Sequence, residues 1–263
     1  MQAMLNIAVR AARRAGDIIV RHYDRVDSLK VESKSYNEFV SEVDRQAEAA
    51  IIDVIARAYP GHAFLAEESG ETGESEFVWI IDPLDGTTNF LHGFPVFSVS
   101  IALQVKGRLE VGVVYDPMRQ ELFKGLRGSG ATLNDHKIRV SRQTKLEGAL
   151  LGTGFPYRDL EHLDRYLAIF RELMQTTAGI RRPGSAALDL ASVACGRLDG
   201  FWEYGLKPWD LAAGALLIQE AGGFVGSMDG RGDPLDTGDI VAGGERVYTA
   251  LRGVIADHWG SGA

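Results

Sequence analysis

The chain has 263 residues, 45% of them hydrophobic and 24% charged, with a formal charge of −8. That length and composition suit one well-packed unit and exclude a disordered chain, while the acidic balance argues against nucleic acid as a direct ligand, because backbone phosphates need a basic face. Cys195 is the only cysteine, which excludes an intrachain disulfide or cysteine metal cluster and points to a reducing, cytoplasmic setting.

Leu5, Ala8, Ala12, Gly16, Ile19 and Tyr23 recur at helical spacing, so residues 3–24 are expected to form an amphipathic helix. The stretch after Arg13-Arg14 carries Asp17 and Arg21, so this is not read as a twin-arginine leader. No apolar run approaches the roughly 18 residues that a membrane span needs. Lys30 to Asn37 is polar and is expected to be an exposed loop. A second helix is expected from Ser41, as N-cap, to Ala58, stopped by Pro60-Gly61. Ala63 to Leu65, Phe77 to Ile81, Val96 to Val105 and Leu109 to Tyr115 are rich in β-branched and aromatic residues and predict strands. Leu150 to Thr153, Asp199 to Glu203 and Ile240 to Ala242 predict further strands. Helices are expected over Asp159 to Gln175, Ser185 to Cys195 and Trp209 to Ala221, with another at the C-terminal end. This interleaving implies a layered α/β fold.

Three segments place acids at element edges: Glu67-Glu68 after a short strand, Asp82-Pro83-Leu84-Asp85-Gly86-Thr87-Thr88-Asn89 at the end of another, and Asp210 at the start of an apolar helix. Taken singly, each has an ordinary reading: a turn, a solvated acidic pair and a helix cap. Together they supply oxygen ligands of the kind that Mg²⁺ takes, at strand ends where open α/β sheets bind ligands. Asp82 and Asp85 can converge across a turn fixed by Pro83, with the Leu84 carbonyl as a neutral donor. Gly86 lets backbone approach a ligand, and Thr87 and Thr88 offer hydroxyl and N–H groups to a phosphate.

Spacing excludes one rival. Haloacid-dehalogenase-type phosphatases place a nucleophilic aspartate two residues before a second one, and Pro83 occupies that position here. No P-loop or Gly-x-Ser-x-Gly elbow occurs. His92 is read as a loop residue, Trp79, Trp202 and Trp209 as core, and Arg181-Arg182 as ion-pairing residues that could also bind phosphate.

The motifs AEESG at 66–70, WIIDPLDGTTNFLHGFP at 79–95, GSAALDLA at 184–191 and FWEYGLKPWDLAAGALLIQEAGG at 201–223 make the chain closely resemble the inositol monophosphatase family, from about Ala8 to Gly244. The resemblance implies a layered α/β/α/β/α sugar-phosphatase fold, forming a single unit over 1–263 with lobes 1–145 and 146–263. It implies a Mg²⁺-dependent hydrolase of small phosphate monoesters, inhibited by Li⁺ and assembled as a homodimer. Glu67, Asp82 and the Leu84 carbonyl would hold one ion, and Asp82, Asp85 and Asp210 a second. A third, weaker site would again use Glu67. Glu68 and Thr87 would position and deprotonate water, with Asp44 supporting Thr87. Gly184, Ser185, Ala186 and Glu203 would line the substrate alcohol, with Arg181 nearby, while Asp85, Gly86, Thr87 and Thr88 would face the phosphate side.

Ser185 and Pro208 depart from relatives that carry Thr and Cys there, and the loop around Lys34 to Glu38 is less typical, which leaves the third site unassigned. Fructose bisphosphatase or nucleotide phosphatase activity on the same scaffold, and a non-enzymatic role in bacterial transcription, remain alternatives.

Overall fold

The computed structural model describes residues 1–25, 31–35, 38–156 and 160–259, with backbone alone for 31–35 and 38–40. The chain opens with helix α1 (Gln2–Tyr23), whose buried face of Leu5, Ala8, Ala12, Ala15 and Ile19 follows the expected spacing. Strands β1 (Val31–Ser35) and β2 (Glu38–Ser41) then pair antiparallel. The expected loop is therefore in large part a hairpin: polar side chains hid the signal, because a two-stranded ribbon needs no apolar face. Lys30, Tyr36 and Asn37 lie outside the described residues.

Helix α2 (Glu42–Ala58) begins at Ser41, whose hydroxyl accepts from the Val43 N–H at 3.1 Å while Asp44 accepts from the Ser41 N–H at 2.9 Å. This capping box satisfies N–H groups that no preceding turn can reach.

An eight-stranded sheet follows, formed by β3 (Ala63–Ala66), β4 (Gly70–Thr72), β5 (Phe77–Asp85), β6 (Ser98–Val105), β7 (Arg108–Asp116), β8 (Glu121–Leu126), β9 (Gly130–Leu133) and β10 (His136–Lys137). Its order is β10-β9-β8-β7-β6-β5-β3-β4, and all neighbours are antiparallel except β3 and β5. A short helix, α3 (Thr87–Leu91), separates β5 from β6.

The second half builds a five-stranded sheet from β11 (Leu150–Thr153), β12 (Gly179–Arg181), β13 (Gly200–Glu203), β14 (Phe224–Gly226) and β15 (Ile240–Gly243), in the order β12-β11-β13-β15-β14. Its helices are α4 (Leu163–Thr176), α5 (Ala186–Ala194), α6 (Pro208–Glu220), α7 (Pro234–Thr237) and α8 (Glu245–Trp259). Helix α4 starts four residues later than expected, and Asp159 lies outside the described residues.

The layers alternate. Helices α1 and α2 cover one face of the large sheet, burying Trp79, Ile81, Val99, Ile101, Val111 and Val113. Helices α5 and α6 lie between the two sheets, and α4 and α8 close the far side of the small one. Strand alternation explains this: Phe201 faces the central helices while Trp202 faces the outer pair. Because α6 is covered on all sides, it has no amphipathic stripe, and its residues from Leu211 to Ile218 are all buried. No described helix is long and apolar enough to cross a membrane.

Candidate metal centre

Strand β5 runs four residues beyond its expected end, through Asp82-Pro83-Leu84-Asp85. In a regular strand, residues three apart point to opposite faces. Here Asp82 pairs with Ser100 and Asp85 with Ser98, so three steps on β5 match two on β6. Pro83 has no N–H to donate to the ladder, and the bulge around it restores Asp82 and Asp85 to the same side. The expected turn at Pro83 is thus a bulge inside a strand.

The parallel neighbour supplies the next acid. Ala66 of β3 pairs with Ile81, and the Glu67 N–H donates to the Ile81 carbonyl at 3.1 Å, which sets Glu67 beside Asp82 where β3 ends. Asp210 arrives from α6, where its carboxylate reaches back to the Lys207 N–H at 2.8 Å.

Ligand atoms of Asp82, Asp85 and Asp210 all lie within 4.8 Å of one another. Asp82 is 1% and Asp85 8% exposed. Burial first, and then the neighbouring Glu67, Asp85 and Asp210, hold the Asp82 carboxyl well above the usual carboxylate range. Burial, followed by Asp210, pushes Asp85 up to about 7, against hydrogen bonds from Ser185 and Ala187. Two buried acids and a half-buried third that repel one another are costly without a counter-charge. An all-oxygen donor set of this kind suits a hard divalent cation.

A cavity of about 280 Å³ opens on these acids. Glu67, Leu84, Gly86, Thr87 and Thr88 line it from the first half of the chain. Gly184, Ser185, Ala186 and Glu203 line it from the second. Gly86 adopts φ 93°, and a Cβ there would meet the Val96 carbonyl at 2.9 Å, so only glycine permits this turn into α3. Asn89 fixes the turn by donating to the carbonyls of Val96 at 2.8 Å and Pro183 at 2.9 Å.

Asp44 is fully buried and accepts from the Thr87 hydroxyl at 3.0 Å, which also lies 3.0 Å from the Leu84 carbonyl. Burial raises the Asp44 carboxyl, and the bonds from Ser41 and Thr87 oppose that rise. Glu68 does not line the main cavity. It borders an adjoining groove with Arg45, Glu48 and Asp53, and its N–H donates to Glu48 at 2.8 Å.

Arg181 is exposed on β12 and does not line the cavity, whereas Arg182 does. Successive side chains of an extended segment face opposite ways, so the expectation fell one residue short. His92 is exposed, with Nδ1 2.8 Å from the Thr88 carbonyl. Trp79 and Trp202 are fully buried, but Trp209 is half-buried and lines the cavity. Cys195 caps the end of α5 and does not sit within it.

Sequence reasoning missed Glu48, Ser98, Ser100 and Asp189, all buried. Ser100 donates to the Trp209 carbonyl at 3.0 Å, and Ser98 lies 3.4 Å from the Ser185 hydroxyl, so β6 fixes the starts of α5 and α6. The available signal was a polar residue on an otherwise apolar face: Glu48 one turn after Asp44, and Asp189 within an apolar helix.

The inositol monophosphatase family model matches residues 1–260. The chain is 55% identical to the Nus factor SuhB of Pseudomonas aeruginosa, covering 98% of this chain and 97% of that one. Among solved structures, the extragenic suppressor protein suhB of Bartonella henselae superimposes with a TM-score of 0.94 at 46% identity, covering 99% of this chain and 100% of that one. An inositol monophosphatase from Anabaena (Nostoc) sp. PCC 7120 does so with 0.84 at 42%, covering 97% and 95%.

Proposed function

The chain belongs to the inositol monophosphatase family, and from that premise we propose that it hydrolyses a phosphate monoester of a polyol, myo-inositol monophosphate above all, with Mg²⁺ as cofactor. The observation that carries this reading is the trio of Asp82, Asp85 and Asp210, with ligand atoms within 4.8 Å in a cavity lined from both halves of the chain. On that lining we propose that the whole chain works as one unit.

Glu67, Asp82 and the Leu84 carbonyl would hold one ion, and Asp82, Asp85 and Asp210 a second. Bound magnesium supplies charge neutralisation, polarisation of the phosphate and a more acidic water. The chain's own residues do the rest. Thr87, held by Asp44, orients the attacking water, and Glu68, which borders the neighbouring groove next to Glu67, would take its proton on turning toward the cavity. The first amides of α3, which no helical turn precedes, suit the phosphate oxygens along with the Thr87 and Thr88 groups. Ser185, Ala186 and Glu203 hold the alcohol, which the carboxylate of Glu203 favours as a neutral polyol over a second phosphate. Asp82 and Asp85 act as ligands, so the reaction is a single displacement without a phosphoenzyme.

The test is phosphate release across inositol monophosphates, fructose 1,6-bisphosphate and an adenosine bisphosphate, with and without Mg²⁺ and Li⁺. Release from inositol monophosphate that requires Mg²⁺ and falls with Li⁺ is expected. A preference for either bisphosphate overturns the substrate assignment.

A second reading has its own support: the Pseudomonas relative is named a Nus factor, at 55% identity. We propose an additional non-enzymatic role with the transcription machinery. Capture of transcription proteins from extract by both wild type and Asp85→Asn would separate this role from catalysis, and capture by neither would remove it. The homodimer and the cytoplasmic setting also stand as proposals, tested by sedimentation and fractionation.

A further inference from the structure

Asp189 sits on α5 one turn after Ser185, so both occupy one face of the helix. It is 3% exposed, yet it lines the cavity. Apart from Ser192, the other residues of α5 are apolar. Among the described residues, burial and neighbouring charges are what act on the Asp189 carboxyl, with no hydrogen bond among those causes. Burial first, then Glu203 and Asp85, push that carboxyl well above the usual range, and Arg182 acts in the opposite direction. The residue lines the cavity, so a ligand group there is a direct way to satisfy its carboxyl.

Glu203 lies in the same wall. A Cβ on Gly154 would fall 1.8 Å from the Glu203 Oε1 atom, so the Glu203 carboxylate rests in space that only glycine leaves open. Asp189 and Glu203 thus border the cavity beside the acids Glu67, Asp82, Asp85 and Asp210.

We propose that Asp189 is a specificity-determining residue that, together with Glu203, hydrogen-bonds neighbouring hydroxyls of the leaving alcohol, so that the cavity selects polyol monophosphates over phosphates whose alcohol carries no further hydroxyl. This rests on the hydrolase reading above and adds the residue that reads the alcohol. A site built around hydroxyl partners rejects analogues that lack them, because its buried polar groups are then left unpaired.

The test compares wild type with Asp189→Ala and Asp189→Asn. The readout is the ratio of kcat/KM for myo-inositol 1-phosphate to that for 4-nitrophenyl phosphate. Asp189→Ala should lower this ratio about tenfold, the equivalent of one lost hydrogen bond. Asp189→Asn, which keeps shape and polarity, should retain more of it. Calorimetry with a non-hydrolysable phosphonate analogue of myo-inositol 1-phosphate, set against inorganic phosphate, reads recognition without turnover. The relative affinity for the phosphonate should fall in the same order. An unchanged binding ratio in both variants overturns the role of Asp189 even in an active enzyme. A shifted binding ratio in a protein that releases no phosphate supports that role and overturns the hydrolase reading instead.

Discussion

The Asp85 carboxylate accepts hydrogen bonds from the Ser185 hydroxyl and from the Ala187 N–H at 2.9 Å, joining β5 to the start of α5 across a hundred residues of sequence. An anion at a helix N-terminus is favoured by the unpaired amides and the helix dipole. The bonds orient Asp85 toward Asp82 and Asp210, and they bind the two halves of the chain at the cavity.

Asp85→Asn should lower Mg²⁺-dependent phosphate release by at least about a hundredfold, the upper end of what outer-shell partners of metal ligands cost. It also removes one of three mutually repelling acids, so the variant should melt at a higher temperature than wild type in EDTA. Phosphate assay and thermal melting check both. Wild-type turnover would remove Asp85 from the metal site.

Thr87→Val should lower kcat about a hundredfold while leaving KM within a few-fold, since the loss falls on water positioning and proton transfer. Thr87→Ser should recover most of the rate because the hydroxyl that meets Asp44 at 3.0 Å is retained. Steady-state kinetics of the pair decide between a positioning hydroxyl and a packing methyl.

Gly154→Ala places a methyl group where the Glu203 carboxylate now sits, 1.8 Å from its Oε1 atom. The Glu203 side chain must move, and the expected result is a KM for inositol monophosphate raised about tenfold, the cost of one lost hydrogen bond, with a smaller change in kcat. An unchanged KM would mean that Glu203 does not touch the alcohol.

The raised carboxyls predict a pH dependence. Asp85 ionises near 3.8 in the unfolded chain and near 7 in the folded one. Between these values the folded state holds more protons, so metal-free stability should fall as pH rises through that window. Magnesium competes with those protons, and its stabilising effect should grow over the same range. Melting curves in EDTA and in Mg²⁺ from pH 5 to pH 8 test this. Parallel curves would show that the acids do not take up the ion.

Asp199 accepts from the Ser141 hydroxyl at 2.5 Å and from the Leu150 N–H at 2.7 Å, pinning the segment that leads into the small sheet. Asp199→Ala should cost about 2 kcal/mol of stability, in the range of hydrogen bonds to a charged group. Chemical denaturation measures it.

Local signals by themselves determined a great deal. Helical spacing located α1, Ser41 marked the start of α2, and β-branched runs located the central strands, because each of these depends on neighbours within a few residues. The acids Glu67, Asp82, Asp85 and Asp210 were legible for the same reason: Glu67, Asp85 and Asp210 stand at element edges, and Asp82 directly precedes Pro83. The hairpin of β1 and β2 was not, since a two-stranded ribbon satisfies its backbone by mutual pairing and needs no apolar face to mark it. Nor was the bulge at Pro83, which exists only against the ladder of β6. Only the tertiary structure brought Asp210 within 4.8 Å of Asp82 and Asp85, turned Arg182 rather than Arg181 to the cavity, and left Asp189 buried beside it. Long-range strand register and helix packing decide such meetings, and neither is written in the spacing of nearby residues.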